Sequence, residues 1–231
     1  MPNIIPRSSP PIPIAYQAVE RLRRDVISGV FPAGSKLKIQ DLQAAYGFSS
    51  SPLREALNQL QQEGLVKADA GRGFRTADMS VEDFADITRL RLMLDVDGLA
   101  RSIKDGDDEW ESTIVSAFYR LEKVETRLGA GPVALNDEWA ELHKVFHTAL
   151  ISSCGSPRTL QLCSTLFDQA DRYRRVSARA RINPREKNEE HRAIMEAALQ
   201  RDTERASKLL HDHIYQTMKN VAGVLGQTTS G

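Results

Sequence analysis

The stretch "SSSPLREALNQLQQEGLVKADAGRGF", residues 49–74, decides the fold. Ser51 is placed to accept the first free backbone N–H groups as an N-cap, Pro52 suits a first helical position, and Ala56, Leu57 and Leu60 form an apolar stripe. Gly64 ends that helix. "LVKADAGRGFRTA" then predicts two short extended segments around a Gly71-Arg72-Gly73 turn, the pattern of a small hairpin. Opposite the apolar stripe the helix presents Arg54, Asn58 and Gln61 at i, i+4 and i+7, side chains whose donors and acceptors match base edges and phosphates.

Working upstream, Val19, Leu22, Val26, Ile27 and Val30 recur at helical spacing from Tyr16, and Gly29, Pro32 and Gly34 end the run. "IQDLQAAYGF" places Leu42, Ala45 and Tyr46 on one side and stops at Gly47, a left-handed terminator. Three short helices and a hairpin, with a tight turn between the second and third helix, predict a winged helix-turn-helix over residues 13–77, whose third helix would enter the DNA major groove.

These residues carry a resemblance. The stretch is similar to the DNA-binding signature of the GntR family of bacterial transcription regulators, at Ser49, Pro52, Arg54, Glu55, Ala56, Leu57, Leu60, Glu63, Gly64 and Leu65. Where that family commonly has an arginine after the first serine, this chain has Ser50. The resemblance implies DNA contacts from Ser49, Ser51 and Arg54, with Lys36, Lys38 and Arg72 at phosphate or minor groove. Ser50 and Asn58 complete the expected set.

Charge supports two dissimilar modules. The chain is neutral overall, yet residues 1–80 hold ten Lys/Arg against seven Asp/Glu, a net of +3 that leaves −3 for the remainder. Residues 1–12 are proline-rich and predict a disordered tail, 78–83 a linker, and 225–231 a flexible tail. Between the linker and that tail, over 84–224, only helical patterning occurs, with segments near 81–104, 107–128, 134–152, 156–179, 184–200 and 202–224. The fold class is therefore mostly α, an N-terminal winged helix-turn-helix plus a C-terminal all-helical bundle. No apolar run approaches a membrane span and no signal-peptide pattern opens the chain, so a cytoplasmic location with no membrane partner is expected. Cys154 and Cys163 lack CxxC spacing and are expected as reduced structural thiols.

"ELHKVFHTAL", residues 141–150, sets His143 and His147 one helical turn apart. A zinc-protease HExxH motif would need glutamate after the first histidine, where Lys144 stands. Trp139, Leu142, Phe146 and Leu150 share the side of both histidines, His191 shares one with Ile194, Met195 and Ala198, and His213 with Ala206, Leu209, Leu210 and Thr217. His211 projects about 200° from His213, towards solvent. Four inward imidazoles on three helices predict a divalent transition-metal site, zinc by preference, with nickel or cobalt as alternatives.

This part resembles the FCD domain, the helical ligand-binding half of the FadR-type branch of GntR regulators, at Phe146-His147, Glu190-His191 and His213-Ile214. His143 stands where that domain usually has aspartate. The resemblance implies a small carboxylate effector, a dicarboxylate or hydroxy acid, held by the metal and an inward arginine. Arg91 is the candidate clamp, an internal pair with Asp95 being the alternative, and Tyr173 and Arg174 are further effector candidates; Arg172 and Arg175 are expected to point outwards. The function expected is a DNA-binding regulator, a repressor, acting as a homodimer on a double-stranded operator. The alternatives are a metal-dependent hydrolase or lyase, for which the inward faces offer only Asp95 as a base, and a purely structural metal site.

Overall fold

The computed structural model describes residues 12–69, 73–129, 133–180 and 187–228, and the chain divides into two compact units between Ala77 and Asp78, except that Ile27–Gly29 group with the second unit. The first unit runs α1 (Ile14–Ser28), β1 (Lys36–Leu37), α2 (Ile39–Tyr46), α3 (Ser50–Gln62), β2 (Val66–Asp69) and β3 (Gly73–Thr76). Leu22, Leu53, Leu57, Leu60 and Leu65 are completely buried in it, which the leucine periodicity of α1 and α3 dictates. A bidentate pair ties the helices, Arg23 donating through Nε and Nη2 to Glu63 at 3.0 and 2.6 Å.

Four local readings change. Ser49, not Ser51, occupies the N-cap position of α3, with extended backbone and no side-chain cap bond. Pro52 is tolerated one turn in because the first four helical N–H groups have no intrahelical partner in any case. Val30 lies beyond α1 and is 63 % exposed, and Ala45 is exposed on α2. The sheet has a third strand: β1 pairs antiparallel with β3, Lys36 opposite Arg75 and Leu37 opposite Phe74, giving the order β1-β3-β2. Two residues are too short for an alternation signal.

The second unit is helical throughout its described residues: α4 (Val81–Asp105), α5 (Asp108–Leu128), a 3-10 turn (Val133–Leu135), α6 (Asp137–Ile151), α7 (Pro157–Ala180), α8 (Lys187–Leu199) and α9 (Thr203–Thr228). Ser80, Asp107 and Asn136 cap α4, α5 and α6, each side chain accepting from the backbone N–H three residues on. Leu99, Ile114, Leu121, Trp139, Leu150 and Ile194 lie in its main core. The break before α9 falls at Arg201, whose backbone is left-handed at φ 58°; its guanidinium compensates by donating to the carbonyls of Ile103 and Gly106 at 2.6 and 2.9 Å. Cys154 and Cys163 are buried free thiols, and burial pushes the Cys163 thiol up, with Asp95 adding to the shift. The α9 helix reaches Thr228, past the expected boundary at 224, while the expected tail over 1–12 lies outside the described residues apart from Ile12.

Gly47 ends α2 at φ 72° with nothing within 4 Å of an added Cβ. Gly47→Ala should therefore cost about 1 kcal/mol of stability through backbone strain alone, read as a lower denaturation midpoint with an unchanged slope.

Candidate functional site

The first unit presents one polar face. Ser49, Ser50 and Ser51 lie exposed at the N-terminal end of α3, Arg54 is exposed a turn on, and Asn58 and Gln61 continue the same side. Helix N-termini attract phosphate, and arginine and amide groups above them are the types that read bases. Ser51 donates to Glu55 Oε1 at 3.2 Å. Lys36 and Lys38 are exposed on β1 and at the start of α2. Arg72 lies outside the described residues. Arg75, not singled out from the sequence, holds the wing by donating to Asp69 Oδ2 and to the Gly34 carbonyl, at 2.8 and 3.0 Å.

In the second unit the four inward histidines meet. His143 and His147 come from α6, His191 from α8 and His213 from α9; all four are buried, and their ligand atoms lie within 4.8 Å of one another. His143 Nε2 is 3.1 Å from both His191 Nε2 and His147 Nε2. One imidazole nitrogen carries either one proton or one lone pair, so it cannot form two full hydrogen bonds at once. Bonds of ~2.0–2.1 Å to a shared ion would separate nitrogens by ~3.0 Å in an octahedron and ~3.4 Å in a tetrahedron, which brackets the observed spacing. The residues thus fit a transition metal, and an all-nitrogen set favours zinc, nickel or cobalt over harder ions.

Carboxylates outside the cluster aim the rings. Glu190 Oε2 lies 2.7 Å from His213 Nδ1, which fixes the proton there and turns Nε2 inward as a lone pair. Glu125 Oε1 accepts from Trp139 Nε1 at 2.9 Å and lies 3.8 Å from His191 Nδ1, while Trp139 stacks on His143 at 4.4 Å. Burial holds the His147 pKa well below the usual histidine value, and the neighbouring charges of His213, His191, Arg91 and Arg174 push the same way. A neutral imidazole is the form that ligates a metal.

Two of the three expected effector residues converge beside the cluster. The Phe167 ring lies 5.4 Å from His143 and 5.5 Å from His147, with the Arg174 guanidinium 4.1 Å and that of Arg91 5.1 Å from its centre. Each arginine is ion-paired. Arg91 donates to Asp95 Oδ2 through Nε and Nη2 at 3.0 and 2.7 Å, the internal pair that its helical spacing permits, and Arg174 Nε donates to Asp171 at 3.1 Å. Tyr173 goes elsewhere: its hydroxyl donates to Asp83 Oδ2 at 2.5 Å, accepts from the Ser80 N–H at 3.2 Å, and its ring stacks on Phe84. Arg172 and Arg175 correct the expectation that they face outwards, since both are buried; Arg175 reaches Asp171 and Asp137, and Arg172 feels the charges of Asp83 and Asp78. Phe167, Asp168 and Asp171 were not legible as site residues because the C-terminal half of α7 is covered on nearly every side, which leaves no polar stripe to read, and Glu125 on α5 was missed because only its tertiary contacts to Trp139 and His191 mark it. Lys144 caps this region with a two-oxygen contact to Asp168.

A winged helix-turn-helix joined to a helical unit with four converging histidines is the architecture of a DNA-binding transcription regulator. The comparisons with known proteins agree: residues 14–75 match the family described as bacterial regulatory proteins, gntR family, and residues 86–216 match the FCD domain, so the chain belongs to the GntR family with an FCD domain. It is 39% identical over 91% of its length to the HTH-type transcriptional regulator BphR of Paraburkholderia xenovorans, covering 89% of that protein. It is 37% identical over 84% of its length to the HTH-type transcriptional repressor GlaR of Escherichia coli, again covering 89%. The fold is shared with E. coli McbR/YncC at a TM-score of 0.77 and 17% identity, over 92% of this chain and 99% of that one. The chain is thus a DNA-binding transcription regulator and not an enzyme.

His143→Ala removes the nitrogen nearest two others and should weaken zinc binding at least ~100-fold, whereas Glu190→Gln, acting through His213, should weaken it ~10–100-fold. Competition against a chromogenic chelator measures both, and an unchanged affinity in both variants would show that the cluster takes no ion.

Proposed function

We propose that this chain is a repressor which binds a pseudo-palindromic operator as a homodimer in the cytoplasm, and which is controlled by a small organic acid bound at a zinc site. The observation that carries this reading is the convergence of His143, His147, His191 and His213 beside the guanidiniums of Arg91 and Arg174. A cation with neutral ligands keeps its full charge, and a carboxylate can answer it while an arginine fork orients the second oxygen. A relative named as a repressor supports the direction of control, and the absence of any helix apolar enough to span a membrane, among the described residues, accords with the location.

DNA contact falls to Ser49, Ser50, Ser51, Arg54 and Asn58 on α3, with Lys36, Lys38 and Arg72 at the backbone or minor groove. The N-cap hydroxyl of Ser49 is not spent on its own helix, which leaves it for a phosphate. Ser50 replaces an arginine that the family commonly uses, so the preferred operator differs from the familiar one.

Two measurements test the proposal. On a duplex selected from random sequence by the full-length protein, Arg54→Ala should lower affinity by ~1–3 kcal/mol and relax sequence preference, and an unaltered affinity with an unaltered preference rejects α3 as the reading helix. Titrating that complex with dicarboxylates and hydroxy acids should release DNA for at least one acid, and a chelator should abolish the response. Affinity that ignores every acid with zinc bound favours a purely structural metal.

A further inference from the structure

We propose that Arg21, on α1, is an anchor for the phosphate backbone of the operator, presented by the aromatic turn that leads into α3. The proposal deepens the DNA contact set above and rests on α3 as the reading helix. The Arg21 guanidinium lies over two rings at once, 5.2 Å from the centre of Tyr46 and 5.8 Å from that of Phe48. Those rings are themselves stacked, 6.5 Å apart and inclined by 15°, on either side of Gly47, whose φ of 72° makes the turn. The Tyr46 hydroxyl donates to Asp25, one turn along α1 from Arg21, so the platform is tied back to the helix that carries the cation. Burial and the Asp25 carboxylate push the Tyr46 phenol above its usual value, which keeps the hydroxyl a donor and the ring neutral.

The unused donors select the ligand. Arg21 is exposed, and its guanidinium makes no hydrogen bond or ion pair with a described residue, so stacking holds its plane while its N–H groups stay open. Arg23, two residues on, shows an arginine of the same helix used for stability, with its fork closed on Glu63. An open fork held flat on two aromatic faces is instead prepared for an anion from outside. Phe48 directly precedes Ser49, and Ser49, Ser50 and Ser51 are exposed at the N-terminal end of α3. A duplex whose major groove takes α3 carries its backbone past this turn, because the elements before a reading helix meet backbone rather than base edges. Arg21 thus adds affinity without sequence information, a task separate from that of Arg54 and Asn58.

Fluorescence anisotropy of the full-length protein tests this, on the selected duplex and on an unrelated one, across about 50 to 200 mM salt. Circular dichroism confirms that each variant keeps its helix content. Arg21→Gln should flatten the slope of log affinity against log salt by ~0.9 and weaken both duplexes alike, roughly 8-fold in ~0.1 M salt, with base preference unchanged. Arg24→Gln removes the same charge three residues on, where no ring presents it, and should flatten the slope less. An unchanged slope with a relaxed base preference would make Arg21 a brace for the turn and overturn the anchor, as would equal losses in Arg21→Gln and Arg24→Gln. If Arg54→Ala weakens binding and Arg21→Gln does not, the anchor falls and α3 stands. If Arg54→Ala changes neither affinity nor preference, α3 falls as the reading helix and the anchor falls with it.

Discussion

Four imidazoles inside one apolar interior constrain everything around them. An unsatisfied polar group in such a place costs several kcal/mol, so the surrounding helices have to supply partners for eight ring nitrogens. Glu190 serves the outer side of the cluster by holding the His213 ring at 2.7 Å, and Glu125, bound by Trp139, lies 3.8 Å from His191 Nδ1. Nitrogens that face one another at 3.1 Å are poor partners and good ligands. The cluster therefore joins α6, α8 and α9 by geometry that an ion would complete, and binding energy at that point would also be folding energy.

The same economy explains the charged interior of α7. Asp168, Asp171, Arg172, Arg174 and Arg175 are all buried, an arrangement that replacement by apolar residues would in general match in stability. What apolar residues could not provide is a positive field directed at one place. Arg174 stacks on Phe167 and is held there by Asp171, and Arg91 reaches the same ring from α4 while Asp95 holds it. Arginine positioned in advance would lose little freedom on meeting the acid of the proposed function, which would favour affinity more than the fold.

Most of this architecture was legible in the sequence, and the exceptions share a cause. Helices with one apolar face gave their inward residues directly: the leucines of α3, and Trp139, His143, Phe146 and His147 on α6. The histidines were readable as inward because each had apolar neighbours at i±3 and i±4. Arg172 and Arg175 were misjudged because α7 is packed against several elements, so a residue off its main stripe is buried too and periodicity no longer separates inside from outside. Arg91 was left open between clamp and ion pair, since i, i+4 spacing reports that a pair can form and not that it does. The strand Lys36–Leu37 gave no signal because only its non-local partner, Arg75 to Phe74, makes it a strand.

Tyr173 then acquires a role that its burial alone would not suggest. It precedes Arg174 in the chain, so its side chain leaves α7 about 100° away and meets Ser80 and Asp83 at the first turn of α4, just after the point where the two units divide. Through these two bonds a slide or rotation of α7 would pull on that cap. Two hydrogen bonds contribute only ~0.5–1.5 kcal/mol each, well short of the ~5.5 kcal/mol that moves a population from one state to the other. In the proposed homodimer both copies would contribute such a cap, which doubles the sum to ~2–6 kcal/mol. On these magnitudes a lone chain would couple the proposed acid site to the first turn of α4 only weakly, and the proposed homodimer, with twice the contribution, comes within reach of a full shift.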